Sequence, residues 1–364
     1  APQEQLPEVV HTTNQQRLWD LLKPFIIRTN SSEQDFQPFQ ASSSAQLLAL
    51  QWLLNDTIAI SENATTQTVL DRYALAVLYY STNGPNWNND FDFLTADDVC
   101  TWNNHSVMSD EFEYALGILC EITSLADQTI QFREVGLDGT LPWELSLLSN
   151  AVTLRMNQDS LRGTLPPELS RLTNLVVLDF SYNDLTGSIP TGYSQLRKLG
   201  ELSLENNTLT GTLPTELGGI AYLSTLSVQF NQLEGTIPTE LADSPLLSSL
   251  HLSSNFFTGT IPTQFGQLKN LIDLYLDTNS LTGTLPTEIG AMISLEWLNL
   301  YDNKLVGTLP SELGQLTTLH EIDVSDNLLS GTIPTVLGRF TELYRLYLYI
   351  NRFTGTLPTE LGQY

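Results

Sequence analysis

Positively charged residues are scarce in this sequence. Among 364 residues, 15 Lys and Arg stand against 41 Asp and Glu, which gives a formal net charge of −26. An acidic surface repels phosphate backbones and so argues against a nucleic-acid partner. The same charge attracts cationic ligands and divalent metal ions. The negative charges also repel one another, and salt would screen that repulsion. The acidity is therefore consistent either with a cationic partner or with a saline habitat.

Long apolar runs and cysteines are also sparse. No apolar run of about 18 residues occurs, so no segment of this chain is expected to span a membrane. The two cysteines suit either one disulfide or two buried thiols, and export would favour the disulfide. Asn-x-Ser/Thr sequons support export and glycosylation, as does a first residue, Ala1, that is consistent with a removed signal peptide or a shortened chain. The sequons lie at Asn30, Asn55, Asn63, Asn104 and Asn206.

A 24-residue period runs through the second part of the chain. Leucine, asparagine, glycine and proline each return at this interval without insertion or deletion, and one unit reads Leu271-x-x-Leu274-x-Leu276-x-x-Asn279-x-Leu281-x-Gly283-x-Leu285-Pro286. Self-similarity at a fixed period of this length is typical of a solenoid. The prolines of the ten units are Pro142, Pro166, Pro190, Pro214, Pro238, Pro262, Pro286, Pro310, Pro334 and Pro358.

Each recurring position has a physical role. Alternation at Leu274 and Leu276 predicts a short strand with both leucines facing inward. The asparagine is expected to be buried at a sharp turn, where its amide both donates to and accepts from backbone groups. Glycine permits backbone conformations that other residues resist, and proline fixes φ. One coil cannot bury its leucines alone, so neighbouring coils must complete the core.

The segment Leu-Thr-Gly-Thr-Leu-Pro at 209–214 resembles the plant-specific class of leucine-rich repeat, which occurs in receptor-kinase ectodomains and polygalacturonase inhibitors. The resemblance covers roughly residues 130–364. It implies an α/β solenoid, a right-handed leucine-rich-repeat superhelix of about ten repeats with a parallel concave β-sheet and a helical N-terminal cap. It also implies a second short strand beside the Gly-x-Leu/Ile-Pro segment.

The N-terminal third carries a second resemblance. Residues Tyr73–Trp87 resemble the helix and loop that open the cap of these proteins, and Cys100-Thr101-Trp102 and Gly117-Ile118-Leu119-Cys120 resemble the two halves of its Cys-x-Trp and Gly-Val-x-Cys signature, here separated by extra residues. The resemblance implies a Cys100–Cys120 disulfide. With residues 49–53, the arrangement is most similar to secreted leucine-rich-repeat proteins of diatoms, which implies a cell-surface or matrix location and no shared reaction.

Apolar residues at 18–26 and 47–54 have helical spacing. We expect two helices on the exposed end of the solenoid, joined by a loop at Asn30–Phe39. Val135 and Asp159 replace the recurring asparagine in the first two repeats, as terminal capping would require. The predicted domains are a helical extension at 1–70, a disulfide-containing cap at 71–128 and a solenoid at 129–364.

Side chains that alternate with the buried leucines should form the concave face, on which such repeats usually bind. Aromatic residues concentrate toward its C-terminal half, where strands about 4.8 Å apart would join them in one patch. Exposed aromatics among acids suit sugar rings or cationic peptide side chains, although aromatics also simply favour strands. The candidate ligand-binding residues are Tyr275, Trp297, Tyr301, Tyr347, Tyr349, Asp273, Asp277, Asp323, His251 and Phe230.

Two other chemistries have weaker support on this face. Its carboxylates could hold calcium, but no dense Asp-x-Asp-x-Asp-Gly loop occurs, and a solvated acidic face explains them more simply. Ser227, His251 and Asp273 fall on neighbouring strands, but an open sheet offers no oxyanion donors and excludes no water. We therefore predict no catalytic residue, no enzymatic activity, no cofactor and no dedicated metal site.

A threonine ladder lies on a different face. Regular hydroxyl arrays can match crystalline surfaces, and some plant proteins with these repeats bind ice. However, threonine is also favoured in strands and turns, and curvature of the solenoid would prevent a match to a flat surface. The ladder comprises Thr212, Thr236, Thr260, Thr284, Thr308, Thr332 and Thr356, with Thr215, Thr239, Thr263, Thr287, Thr335 and Thr359 beside it.

The combined pattern predicts an extracellular or cell-surface recognition or adhesion module that binds a protein, peptide or polysaccharide on its concave face. The alternative is a structural matrix protein that associates through calcium, and a minor alternative is ice or mineral binding through the threonine ladder. Because the chain stops inside a repeat at Tyr364, we expect further repeats or an anchor beyond it, or an end that pairs with another surface.

Overall fold

The computed structural model describes residues 16–18, 20–22, 24, 45–59, 61, 63–89, 91–109, 112–120 and 127–363, with the backbone alone at 104–109, 112–115 and 362–363. In this part of the chain each 24-residue unit forms one coil, and the coils stack into a solenoid with one continuous core. The predicted α/β solenoid is confirmed.

The concave side is a sheet of twelve strands within the described residues. Its first three strands pair antiparallel, and every later pair is parallel and follows chain order. The strands are Asn103–Ser109, Phe112–Cys120, Gln128–Arg133, Ala151–Asn157, Val177–Asp179, Glu201–Ser203, Thr225–Ser227, Ser249–His251, Asp273–Tyr275, Trp297–Asn299, Glu321–Asp323 and Arg345–Tyr347.

A second row of short parallel strands includes the Thr-Gly segments, as the resemblance implied. Its strands are Asp138–Thr140, Ser160–Thr164, Asp184–Gly187, Thr208–Thr212, Gln232–Thr236, Phe256–Thr258, Val306–Gly307, Leu328–Gly331 and Arg352–Phe353. Each coil is completed by a 3-10 helix that starts directly after the recurring proline, whose fixed φ suits the N-cap position. These helices are Trp143–Leu147, Pro167–Arg171, Thr191–Gln195, Thr215–Gly219, Thr239–Asp243, Thr263–Gln267, Thr287–Ala291, Ser311–Gln315, Thr335–Arg339 and Thr359–Gln363.

The recurring leucines fill the interior of each coil. Leu271, Leu274, Leu276 and Leu281 are all fully buried. Full burial of a leucine side chain contributes roughly 2 kcal/mol, and every coil repeats that contribution against its two neighbours. The core is therefore a column of stacked leucines whose stability accrues along the solenoid.

The recurring asparagine joins successive coils through backbone hydrogen bonds. The Nδ2 of Asn255 donates to the carbonyl oxygens of Leu252 and Ser253 in its own coil and of Val228 in the preceding coil, at 3.2, 3.1 and 3.0 Å. Its Oδ1 accepts from the Leu233 N–H at 2.9 Å. The predicted asparagine ladder is confirmed, because the same pattern recurs at Asn183, Asn207, Asn231, Asn279, Asn303, Asn327 and Asn351.

Two α-helices, α1 at Ala45–Leu53 and α2 at Thr66–Ser81, cover the N-terminal end of the stack. The Thr65 side chain caps α2 by accepting from the Thr68 N–H at 3.0 Å. Behind α2, Trp87 packs on Phe132 of the third strand with ring centroids 5.4 Å apart. The cap and the first coil thus share one aromatic core.

A buried arginine organises the cap. Arg72 is fully buried and forms an ion pair with Asp56. Its guanidinium lies over the rings of both Trp52 and Trp102, 5.2 and 4.9 Å from their centroids. It also donates to the Asp97 carbonyl oxygen at 2.6 Å. A buried charge is tolerated only with such pairing, so this arrangement fixes α2 against the cysteine-bearing loop.

The predicted disulfide is confirmed, with the Cα atoms of Cys100 and Cys120 5.4 Å apart. The helix predicted from the apolar residues at 18–26 is helical where the structure describes it, and its Leu18 and Leu22 are buried in the common core. The predicted loop Asn30–Phe39 lies outside the described residues. Helix α2 runs across the predicted boundary between residues 70 and 71, and the division into domains stays a prediction.

Three carboxyl groups at this end of the molecule have raised pKa values: Asp71 and Glu144 are buried, and Asp159 is half-buried. Burial raises the pKa of Asp71 to about 6, against the hydrogen bonds from Gln67 and Gln128 that lower it. Burial raises the pKa of Glu144 to about 7 and that of Asp159, which takes the ladder position of the second repeat, to about 6. Unlike asparagine, a carboxylate cannot donate to the carbonyl groups around it, and one Asp159 oxygen has no hydrogen-bond partner in the structure.

We expect the melting temperature to fall as the pH rises from about 5 to about 8. The folded-state pKa values of Asp71, Glu144 and Asp159 lie above their ordinary values. At pH values between the ordinary pKa and the folded-state pKa, the folded chain therefore binds more protons than the unfolded chain. The contribution of these groups to the free energy of unfolding is therefore complete at pH values below the unfolded-state pKa, and it is lost as the pH rises through the folded-state pKa. Thermal unfolding followed by circular dichroism at constant ionic strength measures this.

Glu144→Gln keeps the side-chain shape and removes the charge, so it should flatten the upper part of that curve. Glu216→Gln is the matched control, because Glu216 holds the equivalent position three repeats later and is exposed. A melting temperature that rises with pH, or equal slopes for both variants, would contradict this account.

Candidate functional site

The parallel register arranges the concave side chains in rows that cross the strands. All ten predicted ligand-binding residues are exposed or half-buried, so the inward leucines do direct their neighbours toward solvent. One row contains Ser249, Asp273, Trp297, Glu321 and Arg345. The adjacent row contains His251, Tyr275, Asn299, Asp323 and Tyr347.

The aromatic residues of this face form separate groups instead of one continuous patch. His251 stacks on Tyr275 with ring centroids 4.8 Å apart. The Tyr347 and Tyr349 rings meet edge to face at 6.2 Å. Trp297 lies between these groups, in the next row.

Trp297 is the centre of the largest group. Its ring stacks on His320 at 5.7 Å and meets Tyr344 edge to face at 5.9 Å. The Arg345 guanidinium lies 5.5 Å from the Tyr344 ring centroid and donates to a Glu321 carboxylate oxygen at 2.9 Å. We call Trp297, His320, Tyr344, Arg345 and Glu321 the tryptophan cluster.

Sequence reasoning missed His320 and Tyr344. Both occupy the position seven residues before the ladder asparagine, just before the strand, which the alternation rule left out. A sequence signal was present, because Ser248, Ile272 and Glu296 hold that position in the three preceding coils and no leucine recurs there. Phe230, which was predicted, lies on the rim three coils before Trp297 and belongs to none of these groups.

The concave face is acidic around its aromatic groups. Asp273 accepts a hydrogen bond from the Ser249 hydroxyl at 2.9 Å, and Asp277 accepts one from Ser253. Burial raises the pKa of the Tyr275 phenol to about 12, with help from the Asp273 and Glu321 carboxylates. Carboxylates beside aromatic faces create an environment that favours a cation.

The structure does not assemble the serine–histidine pair considered from the sequence. Ser227 is buried, and its hydroxyl donates to the Glu205 carboxylate at 2.6 Å instead of facing His251. The Nε2 of His251 is buried without a hydrogen-bond partner. Burial lowers the pKa of His251, against the neighbouring Asp273, Glu205 and Asp277 carboxylates, which raise it.

The residue before each ladder asparagine lies at the rim of the concave face in a left-handed conformation. Its φ is 54° at Tyr182, 51° at Asn206, 54° at Phe230 and 50° at Ile350. This conformation favours glycine and asparagine and costs other residues roughly 1 kcal/mol. Large apolar side chains there are therefore not explained by backbone preference. We call this set of equivalent positions the rim column.

Threonine and glycine are interlocked along the second row of strands. A Cβ on Gly283 would lie 2.7 Å from the Cγ2 of Thr260, and a Cβ on Gly259 would lie 2.9 Å from the Cγ2 of Thr236. The threonine methyl of one coil thus packs on the glycine of the next coil. Because this contact restricts the side-chain rotamer, the hydroxyl groups of an exposed threonine column are held in the same orientation in successive coils.

The five predicted sequons differ in what the structure shows of them. Asn30 and the Asn104 side chain lie outside the described part. Asn55 and Asn63 are exposed, and the amide of Asn55 donates to the Gln51 carbonyl oxygen at 2.9 Å. Asn206 is half-buried in the rim column.

The described part of the chain shows neither a metal-binding cluster nor a membrane-spanning helix. There, no group of three or more His, Cys, Asp or Glu side chains is arranged to hold a metal ion. Over the same ranges, no helix combines the length and the apolar character that crossing a bilayer requires.

Comparison with known proteins identifies the repeats. Two family models described as leucine-rich repeat match, one at residues 245–305 and the other at residues 174–196, 198–220 and 318–340. A search of curated protein sequences gave no significant match.

The fold is similar to plant ectodomain structures. The ectodomain of the receptor kinase GASSHO1/SCHENGEN3 from Arabidopsis thaliana, in complex with Casparian strip integrity factor 2, is 36% identical over 64% of this chain and 28% of its own, with a TM-score of 0.63. The Arabidopsis receptor kinase HAESA, in complex with an IDA peptide hormone, is 29% identical over 68% of this chain and 46% of its own, with a TM-score of 0.62. The present chain therefore spans less than half of either ectodomain.

A plant ice-binding protein matches along more of both chains. It is 25% identical over 78% of this chain and 87% of its own, with a TM-score of 0.65. The fold is thus a leucine-rich-repeat solenoid. Its repeats are structurally similar to those of plant extracellular receptor ectodomains.

Gly283→Ala should destabilise the solenoid by about 1–3 kcal/mol, because alanine at a φ of +76° is strained and its Cβ would displace the Thr260 methyl. Gly219→Ala is the matched control: a Cβ there meets no atom within 4 Å, so the change should be within about 0.5 kcal/mol. The two midpoints of urea unfolding measure the difference. Equal midpoints would show that the methyl–glycine contact does not constrain the stack.

Proposed function

We propose that this chain is an extracellular recognition module that binds an extended peptide with basic residues on the C-terminal half of its concave face. The observation that carries the proposal is the tryptophan cluster. Trp297 stands between the Asp273 and Glu321 carboxylates of its neighbouring strands. A lysine or arginine side chain placed there would meet an aromatic face and a carboxylate together, the combination that stabilises a cation most strongly on an open surface.

The charge of the whole chain supports a cationic ligand. A net charge of −26 steers positively charged partners toward the surface and raises their association rate at low salt. The structural neighbours support a peptide over a polysaccharide, because the similar HAESA ectodomain holds a peptide hormone in its complex. We further propose that the protein is secreted, that it takes part in adhesion at the cell surface, and that it is related to the secreted leucine-rich-repeat proteins of diatoms.

The test is binding to an array of basic peptides, followed by titration calorimetry on the hits. Trp297→Ala and Tyr347→Ala should each weaken binding about tenfold or more, since aromatic anchors dominate such interfaces. Affinity should also fall as salt rises. Ile293→Ala is the control: Ile293 is 60% exposed outside the concave strands and should not affect binding. Unchanged affinity in Trp297→Ala, or hits confined to acidic or neutral peptides, would reject the proposal.

A second candidate is binding to ice or another crystalline surface through the threonine ladder. It is favoured by a specific observation: methyl packing on glycine orients exposed hydroxyls in regular columns, and Thr258 and Thr282 add hydroxyls that donate to the Gly235 and Gly259 carbonyl oxygens at 3.1 and 3.2 Å. The similarity to a plant ice-binding protein, which covers 87% of that chain, also supports this candidate.

Thermal hysteresis in a nanolitre osmometer tests this candidate. A positive result should be lost in Thr284→Lys, which places a long charged side chain in the hydroxyl columns, and kept in Ser203→Lys on the concave face. An absence of hysteresis and of ice shaping in the unaltered chain would remove the candidate and leave the concave-face proposal untouched.

A further inference from the structure

Two exposed aromatic residues flank the Asn206 sequon on the rim of the concave face. Tyr182, Asn206 and Phe230 hold equivalent positions in three successive coils, with φ values of 54°, 51° and 54°. Backbone hydrogen bonds keep these coils in register, because the Asn183 N–H donates to the Asn206 carbonyl oxygen and the Asn207 N–H donates to that of Phe230, at 3.1 and 3.2 Å. Adjacent coils lie about 5 Å apart, so both rings are within reach of a sugar on Asn206.

The side chain of Tyr182 is directed toward the Asn206 coil. Burial raises the pKa of the Tyr182 phenol, and the nearby carboxylate of Glu205, the residue directly before Asn206, raises it further. Glu205 is itself fixed by hydrogen bonds from the Ser227 hydroxyl at 2.6 Å and the Gln229 amide at 2.7 Å. The Tyr182 side chain therefore lies near the residue that directly precedes the sequon asparagine.

Neither ring has another explanation in the described structure. Tyr182 is 44% exposed and Phe230 is 50% exposed, so neither belongs to the core. Both occupy a left-handed position that their residue types disfavour. In contrast, asparagine at 206 suits this conformation.

We infer that Asn206 carries an N-linked glycan whose first N-acetylglucosamine packs between Tyr182 and Phe230. The C–H groups on one face of a sugar ring are apolar and slightly positive, and the face of an aromatic ring is negative. Packing on one or both rings would bury apolar area that is otherwise in water. The glycan would then tie three coils together from outside the core, at the rim of the concave sheet.

Comparing the chain from two hosts tests the inference. A eukaryotic secretory host attaches the glycan, which an endoglycosidase trims to one N-acetylglucosamine; export to a bacterial periplasm gives the same disulfide-bonded sequence without sugar. Glycopeptide mass spectrometry should show Asn206 occupied. The melting temperature of the trimmed glycoprotein should exceed that of the bare protein by about 2 °C or more.

The decisive measurement is the difference in melting temperature between the trimmed glycoprotein and the bare protein, repeated in a Tyr182→Ala, Phe230→Ala double variant. Sugars on other sequons contribute equally to both backgrounds, so any part of the gain that disappears belongs to the two rings. We expect at least half of it to disappear. Tyr222→Ala removes an aromatic side chain that is 60% exposed elsewhere and should keep the full gain. An unoccupied Asn206, or an equal gain in the double variant, overturns the inference.

Discussion

The interaction on which the rest of this structure depends is the hydrogen bonding of a buried asparagine amide to the backbone of two coils. At the sharp turn after each concave strand the chain leaves carbonyl and N–H groups without strand partners, and an orphaned buried group costs about 1–3 kcal/mol. Asn255 donates to carbonyl oxygens in its own coil and in the one before it, and it accepts from the Leu233 N–H. Because one side chain serves two coils, the coils must repeat at a fixed length.

A fixed coil length has consequences for every face of the molecule. The leucines form a column, the concave side chains form rows, and each threonine methyl meets the glycine of the next coil. Glycine at 283 is needed for the positive φ and also for the space that the Thr260 methyl occupies. The concave rows and the threonine columns are therefore two surfaces produced by the same repeat, and each can evolve its side chains without disturbing the other.

The N-terminal end departs from this regularity for a physical reason. The first coil has no preceding coil to cover its core, so helices and an aromatic cluster take that place. Asp159 still accepts from the Gly136 and Leu137 N–H groups at 2.8 and 3.0 Å but cannot donate as the later asparagines do. With Asp71 and Glu144, it makes this end a part of the described molecule where stability responds to pH.

The resemblance to plant-type repeats implied the second row of strands. The sequence by itself determined the solenoid, the inward leucines, the asparagine ladder and the outward position of residues such as Trp297 and Tyr347. It could do so because a strict period makes every residue's place follow from its position within the unit. Only the tertiary structure decided which side chains meet across coils: that His320 and Tyr344 join Trp297, and that Ser227 faces Glu205 and not His251. Periodicity fixes where a side chain starts, whereas its rotamer depends on neighbours that are about 24 residues away in the chain and about 5 Å away in space.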